Sequence, residues 1–388
     1  MTMNIMERSS SILGKEVILP RRRTQIYRSV DVLVCGGGLS GVAAAVAAAR
    51  SGAQTLLVER NVVLGGSGPL SFDIRLAPAQ AGLAGEVRQR LEQTGDLGMD
   101  LLADELVHDP EALKYVLLDL LQEADVQLLL ASWVADPIIR DGIVRGAMVE
   151  NKSGRFAIPA GIVIDATGDA ELALRAGAKT QDLEGQVSVQ MNYRIGGVDL
   201  SRALEHRSSW RDKIAEAKAA GQLSQAQPDH IHLYGITPQV QRRNMAYVHG
   251  PVVQADASWT PREFGEAEGR ARELIRDFLP FLRSVPGFDN SFLVDVAGTL
   301  AVGRRRHLVG ERTLDAADVA SFGSDAVGNV PEECLRSRDV RGLLVTGKAL
   351  SANEAGWQAL ERESSSLIVG ECAGRIAAEA VTAHAPSN

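Results

Sequence analysis

The sequence predicts an α/β chain: a parallel sheet extended by a β-meander, with an α+β segment inserted into it. Three observations predict it. Residues 31–60, DVLVCGGGLSGVAAAVAAARSGAQTLLVER, read as strand, glycine turn, alanine-rich helix and second strand. A helix and strand at 109–131 lead into closely spaced strands up to residue 160. Near the end, residues 341–348 repeat the same grammar of a short apolar strand ending in glycine.

In the first of these, Gly36, Gly38 and Gly41 satisfy G-x-G-x-x-G. The first glycine permits a tight turn, the second admits a pyrophosphate to the backbone, and the third lets helix and strand pack closely. The helix start adds free N–H groups and a positive dipole end. Glu59 closes the second strand at the spacing of a carboxylate that holds a ribose hydroxyl pair. The reading is therefore a Rossmann-type unit that binds a dinucleotide.

With 388 residues and 45% hydrophobic content, the chain can build two domains, or one with an insertion. Its net charge of −8 gives no overall positive field for nonspecific nucleic-acid binding. Cys35, Cys334 and Cys372 lie far apart and form neither C-x-x-C nor a zinc spacing, so the expected compartment is the reducing cytoplasm and no metal is expected. Cys35 reads as a small buried residue. The basic run Arg21-Arg22-Arg23 has no apolar segment after it, and the longest apolar run, 42–49, is too short to span a bilayer. No membrane partner is expected.

The first 30 residues read as a surface arm with a strand at 16–19. After the Rossmann unit, Leu64-Gly65-Gly66-Ser67-Gly68 lets backbone pass close to a bulky ligand. Residues 70–107 read as a helical excursion. Asp109-Pro110-Glu111 opens a helix with an acidic, proline-containing first turn, and a strand follows at 126–131. Residues 134–139 and 143–149 form a hairpin around Asp141-Gly142, with a further strand at 156–160. Residues 162–164 are a separate buried strand, and Ala166-Thr167-Gly168-Asp169 turns it into a helix that Asp169 would cap.

The inserted segment, 185–330, is expected as a substrate domain. It carries predicted strands at 186–195, 231–234 and 245–253 and helices at 201–220 and 261–283. Residues 1–184 and 331–388 would then be two parts of one cofactor domain. The final helix, 364–380, is rich in small residues and opens on Ser364-Ser365-Ser366. Its start would bring a positive dipole end to the ligand, or simply be capped and packed tightly.

Together these motifs resemble the FAD-dependent oxidoreductases of the glutathione-reductase-like fold, in particular the bacterial FAD-dependent oxidoreductase group. The resemblance covers most of residues 28–382 and rests on DVLVCGGGLSG…LLVER with LGG, DPEALKYVLLDLL, VIDATGDAELALRAGA, VPGF, the VGE after GRRRHL, and GLLVTGKALSANEA. It implies FAD as cofactor. Gly36, Gly38, Leu39, Ser40 and Gly41 would hold the pyrophosphate, and Glu59 with Arg60 the adenosine end. Gly66 and Ser67 would lie along the cofactor, Val134 would meet the adenine, and Ala166, Thr167, Gly168 and Asp169 would make the second contact. Gly347, Ser364, Ser365 and Leu367 would approach the ribityl and ring portions. The chain departs from the family pattern at Asn353, where a histidine is common, at Glu361 and Ser364, and at Gly303-Arg304-Arg305-Arg306-His307.

One fingerprint without a second leaves no dedicated NAD(P)H domain, and no cysteine pair follows Gly65-Gly66 for thiol–disulfide exchange. Candidate catalytic residues are His232, His249, Arg305 and His307. His230 and His232 share a strand face with Tyr234 but lack a defined third metal ligand. Arg305 or His307 could clamp a substrate carboxylate or polarise a carbonyl, with Arg194 a weaker candidate. The leading expectation is an oxidoreductase that dehydrogenates or reduces a small organic metabolite by hydride transfer at non-covalently bound flavin. The alternative is a monooxygenase using a flavin hydroperoxide, so NAD(P)H or O2 could be a transient partner. A non-catalytic or nucleic-acid-associated flavoprotein comes third, against the acidic charge.

Overall fold

The computed structural model describes residues 11–13, 16–18, 23–76, 81–100, 105–256, 260–321, 330–360 and 363–383. Glu361 and two of the early arginines, Arg21 and Arg22, lie outside them, as does the side chain of Ser364.

An eight-stranded sheet carries the fold. β1 (Val30–Cys35) feeds α1 (Leu39–Arg50), which returns to β2 (Thr55–Val58). α2 (Pro110–Glu123) crosses to β3 (Gln127–Leu129), and β4 (Trp133–Arg140), β5 (Ile143–Asn151) and β6 (Gly154–Asp165) form the meander. The order is β4-β5-β6-β1-β2-β3, parallel from β6 to β3 and antiparallel from β4 to β6. Apolar runs on β1 and β2 are buried on both faces, as parallel strands under helices must be. Asp109 caps α2 by accepting from the N–H groups of Glu111 and Ala112, with Pro110 in the first turn.

The two strands expected at 156–160 and 162–164 are one, β6. Gly161 does not break it; a Cβ there would sit 3.0 Å from the Asp31 carbonyl oxygen, so the glycine admits a close backbone neighbour. The returning strand β7 (Leu343–Val345) also pairs with β6 in parallel, Leu344 beside Ile164. The last helix, α3 (Glu363–Ala383), packs on α1: a Cβ on Gly370 would strike the backbone of Ser40, and one on Gly374 the backbone of Ala44.

Residues 70–107 are only partly helical. The helix Gly82–Thr94 is set between short strands, Arg75–Leu76, Leu97–Met99 and Leu106–His108, that form their own antiparallel sheet. The strand expected at 186–195 is two, Gln186–Gln190 and Tyr193–Gly196, and that at 245–253 is also two, Met245–Val248 and Val252–Asp256. Both break at one level for one reason. Pro251 has no N–H to give the ladder, and the Gly250 N–H leaves it to donate to the Asn192 side-chain oxygen at 3.2 Å. Among the described residues, 185–330 therefore form two antiparallel sheets, one of three strands and one of four, over an apolar core that also takes in Phe72, Ile74 and Val107. The helix expected at 201–220 is interrupted by the 3-10 turn Arg207–Ser209, whereas the long one runs unbroken as Pro261–Leu282. The strand expected at 231–234 shrinks to Leu233–Tyr234.

Candidate functional site

A cavity of about 1040 Å³ runs from the carboxyl ends of β1 and β2 to the inserted sheets. That is the upper end of the usual size range of ligand sites, and the sheet edge is their usual place. Gly36, Gly38, Leu39, Ser40, Glu59 and Arg60 line its first part. Gly36 has φ +117, a conformation that only glycine adopts readily, and its N–H donates to the Val58 carbonyl at 2.8 Å. Helix α1 begins at Gly38 without a side-chain cap. The space beside Gly38 is bounded by the backbone of Gly66, 3.9 Å from where a Cβ would stand. An uncapped helix start beside a glycine-walled opening suits a pyrophosphate, so these residues fit a dinucleotide. Gly41 lies behind them and packs against the Gly36 carbonyl, as its place in the fingerprint predicts.

Glu59 is buried, and its carboxylate is held on several sides. One oxygen accepts from the Gly37 N–H at 2.6 Å, the other from Asn61 N–H at 2.7 Å and Asn61 Nδ2 at 2.6 Å. Its orientation is thus fixed by the turn it faces. The Arg60 guanidinium lies 5.4 Å from the centroid of the Trp133 ring, close to Val134, which also lines the cavity. Gly66 and Ser67 line the middle.

Ala166, Thr167, Gly168 and Asp169 line the next part of the wall, shaped by a residue that the sequence reading missed. Asp165 is buried at the end of β6. Its Oδ1 accepts from Thr167 N–H (3.0 Å) and Thr167 Oγ1 (2.6 Å), and its Oδ2 from Ala173 N–H (2.8 Å). Burial pushes its carboxyl above the usual range, against these hydrogen bonds. Asp169 is not the helix cap: it accepts from the Arg305 N–H at 3.3 Å, while Thr167 Oγ1 takes the Glu171 N–H at 3.0 Å. An acid at the end of a buried strand, two residues before a threonine, was the available signal.

The far part is lined by Gln190, Asn192, His249, Arg304, Arg305, Lys348 and Trp357. Arg304, also missed, is buried, donates to the Ala352 carbonyl at 2.9 Å and lies 5.0 Å from the Trp357 ring centroid. The Lys348 ammonium donates to the carbonyls of Val302 and Gly303 at 3.1 and 3.2 Å. The Arg306 guanidinium pairs with Asp182. Arg305 lines the cavity, and its guanidinium carries no ion pair among the described residues.

Several expected site residues stand elsewhere. His307 does not line the cavity; on its short strand it is half-buried, its Nδ1 without a partner among the described residues. Burial, with the Arg304 charge beside it, lowers its pKa to about 4. Gly347 is buried against the Ser40 side chain, and Leu367 is buried within the core. From the last helix Ser366 reaches the cavity and Ser365 does not. Arg194 is held by Asp295 and by the Tyr247 hydroxyl, away from the wall. Cys35 is fully buried, and burial raises its thiol pKa well above the usual value. His232 lies behind His249, and its Nε2 is 3.0 Å from each oxygen of buried Asp100.

No helix among the described residues is long and apolar enough to cross a membrane. No curated protein matches the sequence. Solved flavoenzymes resemble the chain. A geranylgeranyl bacteriochlorophyll reductase-like protein from Thermoplasma acidophilum is 17% identical, with 92% of this chain and 79% of that one covered at a TM-score of 0.53. The p-nitrophenol 4-monooxygenase PnpA from Pseudomonas putida DLL-E4 is 14% identical, with 92% and 81% covered at 0.53. The flavin-dependent brominase Bmp2 is 14% identical, with 93% and 80% covered at 0.51. At such identities the likeness is one of fold. The family described as FAD dependent oxidoreductase matches residues 31–329, well over half of the chain. The chain therefore belongs to the FAD dependent oxidoreductase family, and its cofactor is FAD.

Proposed function

We propose that the protein dehydrogenates or reduces a small organic metabolite by hydride transfer at non-covalently bound flavin. The observation that carries this reading is the single cavity whose wall runs from the Gly36 turn to Gln190, His249 and Arg305. The bound flavin supplies the two-electron chemistry. In this reading the turn at Gly36 and Gly38 and the start of α1 bind the pyrophosphate. Glu59, pre-oriented by Gly37 and Asn61, takes the ribose, and Arg60 and Val134 flank the adenine. The turn 166–169, held by Asp165, fixes the inner half of the cofactor. Residues 185–330 supply the substrate side, an assignment supported by their apolar core, which they share with Phe72, Ile74 and Val107. Arg305, a cation on the wall without an ion pair among the described residues, anchors an anionic or carbonyl group of the substrate.

The test is anaerobic titration of the yellow protein with a metabolite panel. Bleaching of the flavin by one organic substrate alone is the expected outcome, and Arg305→Ala slows it while flavin stays bound. Consumption of NAD(P)H and oxygen coupled to hydroxylation of a product would overturn the reading in favour of a monooxygenase.

A further inference from the structure

His249 follows the strand Met245–Val248 and lines the cavity. Its ring stacks on His232 with centroids 4.2 Å apart, and the Tyr234 ring lies 4.1 Å away. With Asp100 the two imidazoles make a set in which one nitrogen or oxygen from each residue lies within 4.8 Å of the other two. Two histidines and a carboxylate are a familiar transition-metal donor set. The hydrogen bonds argue against that use. A ligating histidine donates its other ring N–H to an acceptor. Here the partner of His249 Nδ1 is Gln190 Nε2, at 3.0 Å.

The same Gln190 atom is 3.2 Å from the Gly250 carbonyl oxygen. A carbonyl only accepts, so that atom must be the amide nitrogen; the reverse assignment sets two oxygens against each other. The two N–H bonds of Gln190 thus serve Gly250 and His249. His249 Nδ1 must then be an acceptor, and the proton of the neutral ring resides on Nε2. Adding a proton at Nδ1 would set N–H against N–H. Burial acts in the same direction, lowering the pKa to about 3, with His232, Arg75 and His230 adding to the effect and Asp100 opposing it.

We propose that His249 acts at the substrate end of the cavity as a neutral imidazole, a hydrogen-bond donor through Nε2 whose tautomer Gln190 sets. His249 is then the catalytic residue and Gln190 a positioning residue. A neutral N–H in this place recognises an acceptor oxygen, a carbonyl or carboxylate, and gives nothing to an ammonium group. Because it stays neutral it polarises that oxygen without surrendering its proton first. This inference rests on the cavity holding cofactor and substrate together.

The experiment is long-range proton–nitrogen NMR on ¹⁵N-histidine-labelled holoenzyme, with His249 assigned by the signals that His249→Gln removes. A pyridine-type Nδ1 and a pyrrole-type Nε2, unchanged across neutral pH, are expected. In Gln190→Glu the new acceptor should invert the pattern, and in Gln190→Leu, which keeps the bulk without a donor, the two tautomers should mix. Pyruvate, which carries both oxygen types, should shift the Nε2 signal saturably, and ethylammonium should not. A pyrrole-type Nδ1 in the parent protein overturns the proposal, as does a pattern indifferent to both Gln190 variants or to pyruvate. So does an equimolar zinc addition that moves the signals of His232 and His249 together, which would assign a metal site. A protein that retains no flavin refutes the cofactor reading instead, and the absorbance of the same sample separates the two failures.

Discussion

The contact between the first and last helices gives a prediction whose sign distinguishes two physical effects. Replacing glycine by alanine inside a helix stabilises it by about 1 kcal/mol when the methyl group meets nothing. Gly265 is such a position: it is exposed on the long helix Pro261–Leu282, and no atom lies within 4 Å of where its Cβ would stand. At Gly370 the same Cβ would be driven into the Ser40 carbonyl, with the carbonyl carbon and Cα of Ser40 each 2.7 Å away. These are backbone atoms of the first turn of α1, so no rotamer change relieves them and the helices must separate. Overpacking of this kind costs roughly 3 kcal/mol at the upper end of its usual range. Subtracting the helix gain of about 1 kcal/mol leaves Gly370→Ala about 2 kcal/mol less stable, while Gly265→Ala gains about 1. Urea unfolding of both variants, as holoenzyme and stripped of flavin, measures the difference. The displaced α1 turn should also weaken FAD retention in Gly370→Ala and not in Gly265→Ala. Stabilisation of both variants by equal amounts would refute the close packing and the link from the last helix to the cofactor turn.

Three further outcomes follow from the site. Glu59→Gln sets an amide N–H2 against the N–H donors of Gly37 or Asn61 and loses a charge-assisted bond worth about 1.5–3 kcal/mol. FAD affinity should fall roughly 10- to 100-fold in a flavin fluorescence titration, and an unchanged affinity would remove Glu59 from the site. Asp165→Asn meets the same conflict at Thr167 or Ala173 and should cost about 1–3 kcal/mol in urea unfolding, with no change expected only if the turn is held otherwise. The pKa values of His249 and His307 are lowered from 6.5 to about 3 and about 4. Between those values and 6.5 these two rings bind more protons in the unfolded chain than in the folded one, so their contribution makes stability rise with pH through this window and fall on acidification. Midpoints measured from about pH 4.5 to 7.5 should show that slope, shallower in His307→Gln, and a flat profile would contradict the burial of both rings.

The cofactor half of the fold is legible in the sequence because it is written locally. The turn at Gly36, the helix start at Asp109 and the return at residues 341–348 each carry their signal within a few residues. The inserted half is not, since its strand breaks depend on Asn192 meeting the Gly250–Pro251 corner 58 residues away. The same holds for the site. Glu59 announces itself by its spacing, whereas Asp100 reaches His232 across 132 residues through tertiary folding alone. The basic run 304–307 is plain in the sequence, but that Arg304 and Arg305 line the cavity and His307 does not depends on distant partners such as Ala352 for Arg304 and Asp182 for Arg306.

Strand β6 has a consequence for how the protein is made. Its final residues pair with β1 on one side and with β7, far along the chain, on the other. The helix that then braces α1 is the last one described. A growing chain that has completed the Gly36 turn therefore still lacks the neighbours that hold it in shape. Such long-range closure is slow to form, and FAD binding stabilises only what has closed. Flavin capture thus waits until the chain has been made through this helix, and the yellow colour of the protein reports that the closure has formed.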